Sequence, residues 1–101
     1  MDTFNIALGA TLGGQWAKSP KTPTIPSSGT PLKNTNSYPV DIYVTEGVVT
    51  QIAITKSSGS TYVVMDNAAG ITMSGQGYTL QPRDSITMWY SMVPTWVWLA
   101  A

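Results

Sequence analysis

The sequence predicts an all-β protein: a small antiparallel β-sandwich or barrel preceded by an extended, proline-rich N-terminal arm. Apolar and polar residues alternate with a period of two from Tyr38 towards the C-terminus, as a half-buried strand requires. Turn residues punctuate those runs about every 8–12 positions. No segment shows the repeat of an amphipathic helix. At 101 residues the chain makes one domain at most, and a domain of that size buries a modest share of its surface, so a partner would add to its stability.

The arm spans residues 1–33. Pro20, Pro23, Pro26 and Pro31, with Ser27-Ser28-Gly29 among them, resist both helix and central strand because proline lacks the N–H that each needs. Pro20, Pro23 and Pro26 are three apart and fall on one face of a polyproline II helix, which is semi-rigid and extended. Fully stretched, such an arm reaches roughly 110 Å, far enough to touch a neighbouring subunit. At its tip Phe4, Ile6 and Leu8 alternate with Asn5 and Ala7, and Trp16 follows a flexible stretch containing Gly13-Gly14. That pattern suits either a short strand added to another sheet or a first strand of the main domain. Lys18-Ser19-Pro20-Lys21-Thr22-Pro23 also has the spacing of an SH3-type ligand, although an extended linker is much the simpler account of it.

The β-domain spans residues 34–101. Val40, Ile42 and Val44 point one way and Asp41, Tyr43 and Thr45 the other, giving a strand that ends at Glu46-Gly47. Val48 to Thr55 follows, with Ile52 and Ile54 inward, and the short Glu46-Gly47 link predicts a hairpin between the two. Lys56 to Ser60 reads as a polar loop, Tyr62 to Met65 as a strand, and Asp66 to Gly70 as a turn. Ile71 to Met73 is a short edge piece before the glycine-rich Ser74 to Gly77. Tyr78 to Leu80 and Ile86 to Tyr90 flank a Pro82-Arg83-Asp84 corner, and Thr95 to Leu99 closes the set with Trp96 and Trp98 on one face.

Composition narrows the chemistry. Five basic residues balance five acidic ones, which leaves no electrostatic footprint for nucleic acid and no polybasic patch for a membrane. Without cysteine there is no disulfide, thiolate nucleophile or cysteine-bound metal; without histidine the commonest general base and metal ligand are missing. There is no Gly-x-Ser-x-Gly elbow, and Gly75-Gln76-Gly77 lacks the lysine of a phosphate loop. Of the carboxylates, Glu46, Asp66 and Asp84 sit where turn chemistry alone would put them; a histidine-free glycosidase would need two carboxylates to meet across loops. The expectation is therefore a non-enzyme with no catalytic residues, cofactor or metal. Met1-Asp2 and the short, polar-interrupted Phe4 to Gly9 do not read as a secretory signal, and no run is apolar enough to span a bilayer, so assembly in the cytoplasm is expected.

Only 10% of residues are charged, against the roughly 25% usual in soluble domains, so much of the surface is expected to face other protein. Trp96 and Trp98 are expected to close the core, and Trp89, on the face opposite Met88 and Tyr90, to lie outside it. The candidate contact residues are Phe4, Ile6, Leu8, Trp16, Pro20, Pro23, Pro26, Trp89, Trp96 and Trp98.

The block from Asn34 through Tyr38-Pro39-Val40-Asp41 to Ile52, with Leu80-Gln81-Pro82-Arg83-Asp84-Ser85-Ile86-Thr87 and the closing Val93-Pro94-Thr95-Trp96-Val97-Trp98, resembles small structural proteins of tailed bacteriophages, the capsid decoration or cement proteins. The resemblance covers the β-domain and not the arm. It implies a virion protein, assembled in the host cytoplasm, that sits on the outer capsid surface as a homo-oligomer, often a trimer, and locks the major capsid protein lattice. Similar β-domains occur in tail and fibre proteins, which keeps open a carbohydrate-binding module stacking sugars on Trp89, Tyr43 or Tyr90.

Overall fold

A computed structural model describes residues 20–101 and places its strands in one 5-stranded antiparallel sheet. The strands are β1 (Leu32–Lys33), β2 (Val40–Thr55), β3 (Thr61–Leu80), β4 (Ser85–Met92) and β5 (Thr95–Ala100). The all-β reading of the sequence holds. Strand β2 is the spine: β3 runs antiparallel along one side of it for its whole length, while β4 and then β5 occupy the other side in succession. β1 pairs with the far edge of β4.

The hairpin is not where the turn residues placed it. Glu46-Gly47 joins the two expected strands into one continuous strand of 16 residues, and the reversal comes later, at Lys56 to Ser60. Both Glu46 and Gly47 have positive φ, 61° and 66°, a backbone shape that serves a tight turn or a bulge equally well. Here it makes a kink. Ser74 to Gly77 likewise lies inside β3, where Gly75 at φ 101° is an extra residue between the Thr45–Ser74 and Val44–Gln76 pairs. Within β3, Asn67 to Gly70 together face the single Thr50.

These irregularities line up across the sheet. Gly47 lies against the break between β4 and β5: a Cβ there would come within 2.5 Å of the Pro94 Cα, and the pairs on either side are Val48–Met92 and Thr45–Thr95. On the other flank Glu46 faces Met73. The sheet creases along that line. Straight, the 20 residues of β3 would span about 65 Å, yet the longest dimension of the described residues is 48 Å. The bulges also reset the side-chain period. The buried residues of β2 are Val40, Ile42 and Val44 before the kink, then Val49 and the consecutive Ile52, Ala53 and Ile54, a succession that an unbroken alternation could not produce. Both halves thus feed one core, completed by Met73, Leu80, Ile86, Met88, Trp96 and Trp98.

Residues 34–38 and the 81–84 turn lock one end. Asn34 is fully buried, and its amide donates to the carbonyls of Tyr38 (3.1 Å) and Leu80 (3.0 Å) while its Oδ1 accepts from the Asn36 N–H and amide. Its backbone exchanges hydrogen bonds with Asp84 O and Arg83 N. Arg83 sits at φ 70°, and the bond from its N–H to Asn34 O helps hold that strained geometry.

Candidate functional site

One edge of the sheet is covered by the chain itself. From Lys33 back to Thr22 the proline-rich segment runs along β4 and β5. Leu32 and Lys33 pair with Ile86 and Ser85, Gly29 N donates to Met88 O, and Ser28 Oγ accepts from Tyr90 N. The Tyr90 hydroxyl donates to Pro26 O at 2.8 Å, Trp96 Nε1 to Pro23 O at 2.7 Å, and Trp98 N to Thr22 Oγ1 at 3.1 Å. Prolines suit this strap: they accept through their carbonyls and present no N–H row to solvent, so the edge is capped rather than extended. Over residues 22–33 the segment lies along its own sheet, with a turn at Ser27 to Thr30 closed by the Thr30 N–H to the Ser27 carbonyl.

Beneath the strap Trp96 and Trp98 are buried and meet edge to face, with ring centroids 5.5 Å apart. The Trp98 Nε1 has no hydrogen-bond partner among the described residues. Where the strap meets the crease there is a shallow groove of about 310 Å³ between Pro23, Ile25, Val93, Pro94 and Trp96, polar only through threonines.

The second feature is an apolar outer face. Tyr43 and Val97 are direct cross-strand partners and Leu99 follows on the same face of β5; all three are exposed. The Tyr43 ring covers Gly77, whose missing Cβ would meet Tyr43 Cε1 at 2.7 Å, and Met92 and Val93 add exposed apolar surface at the crease. The third is the free edge of β3, where Tyr62, Val63 and Val64 stand in water.

Carboxylates hold turns and strands together. Asp84 is buried; its Oδ1 accepts from Ser57 N at 2.9 Å and its Oδ2 lies 2.8 Å from Lys56 Nζ, so the β2–β3 hairpin is tied to the 81–84 turn. Burial pushes this carboxyl up, but the hydrogen bonds from Lys56 and Ser57, the Lys56 charge and the Gln81 backbone outweigh it and hold it below the ordinary carboxylate value. Asp41 accepts from Thr79 and Glu46 from Thr95. Among the described residues no three Asp or Glu side chains come together as a metal site.

Of the predicted contact residues, Phe4, Ile6, Leu8 and Trp16 lie outside the described residues. Pro23 and Pro26 are half-buried and accept the bonds from Trp96 and Tyr90. Trp96 and Trp98 are core residues, so whatever they give a partner comes through the stiffness of β5. Trp89 is partly exposed and packs on Gly29. Of the three aromatics of the sugar-stacking alternative, Trp89 faces Gln51, Tyr43 faces Val97 on the other side of the kink, and the Tyr90 hydroxyl donates to Pro26. Sequence reasoning passed over Val97, Leu99 and the β3 edge. Their signal was present, since Trp96-Val97-Trp98-Leu99 and Tyr62-Val63-Val64-Met65 are apolar at every position, more than one buried face can use. Comparison with protein-family models, with curated proteins and with solved structures returns no match.

Proposed function

We propose that this chain is a virion structural protein of the tailed-phage cement type, which binds the outer surface of a capsid, stabilises the lattice of the major capsid protein, and acts by binding rather than chemistry. The observation that carries the reading is the apolar outer face of Tyr43, Val97 and Leu99. It is set on strands stiffened from below by the Trp96–Trp98 pair and at the edge by the strap. A chain with 10% charged residues and an apolar face on a rigid support suits a flat protein partner. Repetition over a symmetric lattice then turns weak single contacts into high occupancy. The leading residues, Phe4, Ile6, Leu8 and Trp16 among them, would add further contact on the same partner.

The test is occupancy on purified capsids, measured by co-sedimentation and by imaging the particles. The Val97→Lys and Leu99→Lys double variant should keep the wild-type circular dichroism and lose most of its occupancy. Wild-type binding by that variant would remove the outer face from the proposal. Failure of the unaltered protein to bind any capsid would end the functional reading.

A further inference from the structure

We infer that the outer face of Tyr43, Val97 and Leu99 takes a protein surface that sets lysine or arginine side chains around an apolar centre, with Asp41 and Glu46 receiving those cations. This rests on the outer face being a contact surface, as proposed above, and adds the chemistry of what it meets. Along β2 Asp41 lies two residues to one side of Tyr43 and Glu46 three to the other. Both carboxylates belong to the face of the Tyr43 ring. Asp41 lies between the buried Val40 and Ile42 and so points the other way, level with Leu99. Glu46, turned by its positive φ of 61°, accepts from Thr95, the neighbour of the buried Trp96. The apolar patch thus has an acid at each end.

Neither acid is neutralised. Thr79 Oγ1 donates to Asp41 Oδ1 at 2.6 Å and Thr95 Oγ1 to Glu46 Oε1 at 3.1 Å. Among the described residues Asp41 Oδ2 and Glu46 Oε2 meet no donor, and the ion pair of Lys56 with Asp84 involves neither. Each threonine orders its carboxylate, so the second oxygen can accept a charge-assisted bond with little further loss of side-chain freedom.

The strands offer no cation of their own. β2, β3, β4 and β5 carry Asp41, Glu46 and Asp66 and no lysine or arginine; the described bases, Lys21, Lys33, Lys56 and Arg83, lie outside them. A chain of zero net charge therefore presents an outer face of one sign. That sign repels nucleic acid and anionic lipid. The groove beside the strap is not lined by Tyr43, Val97 or Leu99, so the face gives a small molecule no enclosure. An apolar centre with a negative rim is complemented by a protein surface with a positive one.

Association of the full chain with purified capsids, followed at low and at high salt, tests this. Asp41→Asn with Glu46→Gln removes both charges and keeps the oxygens that accept from Thr79 and Thr95, so circular dichroism should be unchanged. At low salt the double variant should associate about fivefold or more slowly than the wild type, and at high salt the two should converge. Equal or faster association of the double variant at low salt overturns the inference while leaving capsid binding intact. If the wild type binds no capsid, the functional reading falls by itself, and the face is read on two resins with the same alkyl chain, one ending in an amine and the other in a carboxylate. Stronger retention of the wild type on the amine resin, reduced by the double variant and by Val97→Ser with Leu99→Ser, supports the inference. Equal retention on both resins, or retention indifferent to either pair of substitutions, overturns it. Should the double variant unfold, the wild type on the two resins decides. Self-association of the wild type that the double variant loses would give the face to a second copy, and also overturns it.

Discussion

The two long edges of this sheet receive opposite treatment. Along β4 and β5 the chain spends a dozen residues on a strap, with hydrogen bonds to Met88, Tyr90, Trp96 and Trp98. Along β3 none of the described residues forms such a cover, and between Thr61 and Asp66 apolar side chains stand exposed. The core lies under the strap: Met88, Trp96 and Trp98 are buried against Val44, Val49 and Ile52. The difference teaches that fold stability and availability for contact are assigned to different sides of one sheet. Substitutions on the strapped side should therefore cost folding free energy, and substitutions at the exposed β3 edge should cost little of it.

The largest effect belongs beneath the strap. Trp98→Ala removes a buried indole and should destabilise by about 3–5 kcal/mol, read as a lowered midpoint in urea unfolding. A loss below about 1 kcal/mol would mean that the strapped side is not where the stability resides. Gly47→Ala should approach the same size, because its Cβ would meet Pro94 backbone atoms at 2.5 and 2.6 Å and its φ is 66°. Backbone cannot step aside as a flexible side chain would, and the crease would have to open.

Next comes the polar lock at the end of the strap. Asn34→Ala leaves the carbonyls of Tyr38 and Leu80 without its amide and should cost about 1–3 kcal/mol in the same measurement. Asp84 gives the lock a pH dependence. Its folded-state value lies below the ordinary carboxylate value of about 3.9, so its contribution is fully present above that pH and is lost as pH falls through the folded value. Unfolding midpoints followed from pH 7 to pH 2 should drop at the acid end for the wild type, and less steeply for Asp84→Asn, which begins lower at neutral pH.

A smaller step sharpens the comparison at single-bond resolution. Tyr90→Phe deletes one hydrogen bond between strap and strand and should cost about 1 kcal/mol. Val64→Lys, at the exposed bulge of β3, should change stability by no more than about 0.5 kcal/mol in the same measurement. If Val64→Lys destabilised as much as Asn34→Ala, the two edges would not differ in the way described.

Local sequence sufficed for much of the architecture. Alternation in Val40-Asp41-Ile42-Tyr43-Val44 and in Trp96-Val97-Trp98 marked strands and their buried faces, and the absence of any helical period excluded a bundle, because side-chain direction in a strand depends only on neighbouring dihedrals. The Pro82-Arg83-Asp84 corner and the Lys56 to Ser60 loop were equally legible. What local signals could not separate was turn from bulge. Glu46-Gly47 and Ser74 to Gly77 carry residues that accept positive φ, and a positive φ either reverses a strand or kinks it. The outcome rests on what the flanking segments pair with: β3 continues past the Glu46 kink and pairs with both halves of β2. Tertiary structure alone likewise decided that Pro23 and Pro26 would offer their carbonyls to Trp96 and Tyr90, and that Asn34 would be buried. The first two are contacts between residues 73 and 64 positions apart. Their energy comes from groups brought together only after the sheet has creased, which a pattern of neighbours along the chain does not encode.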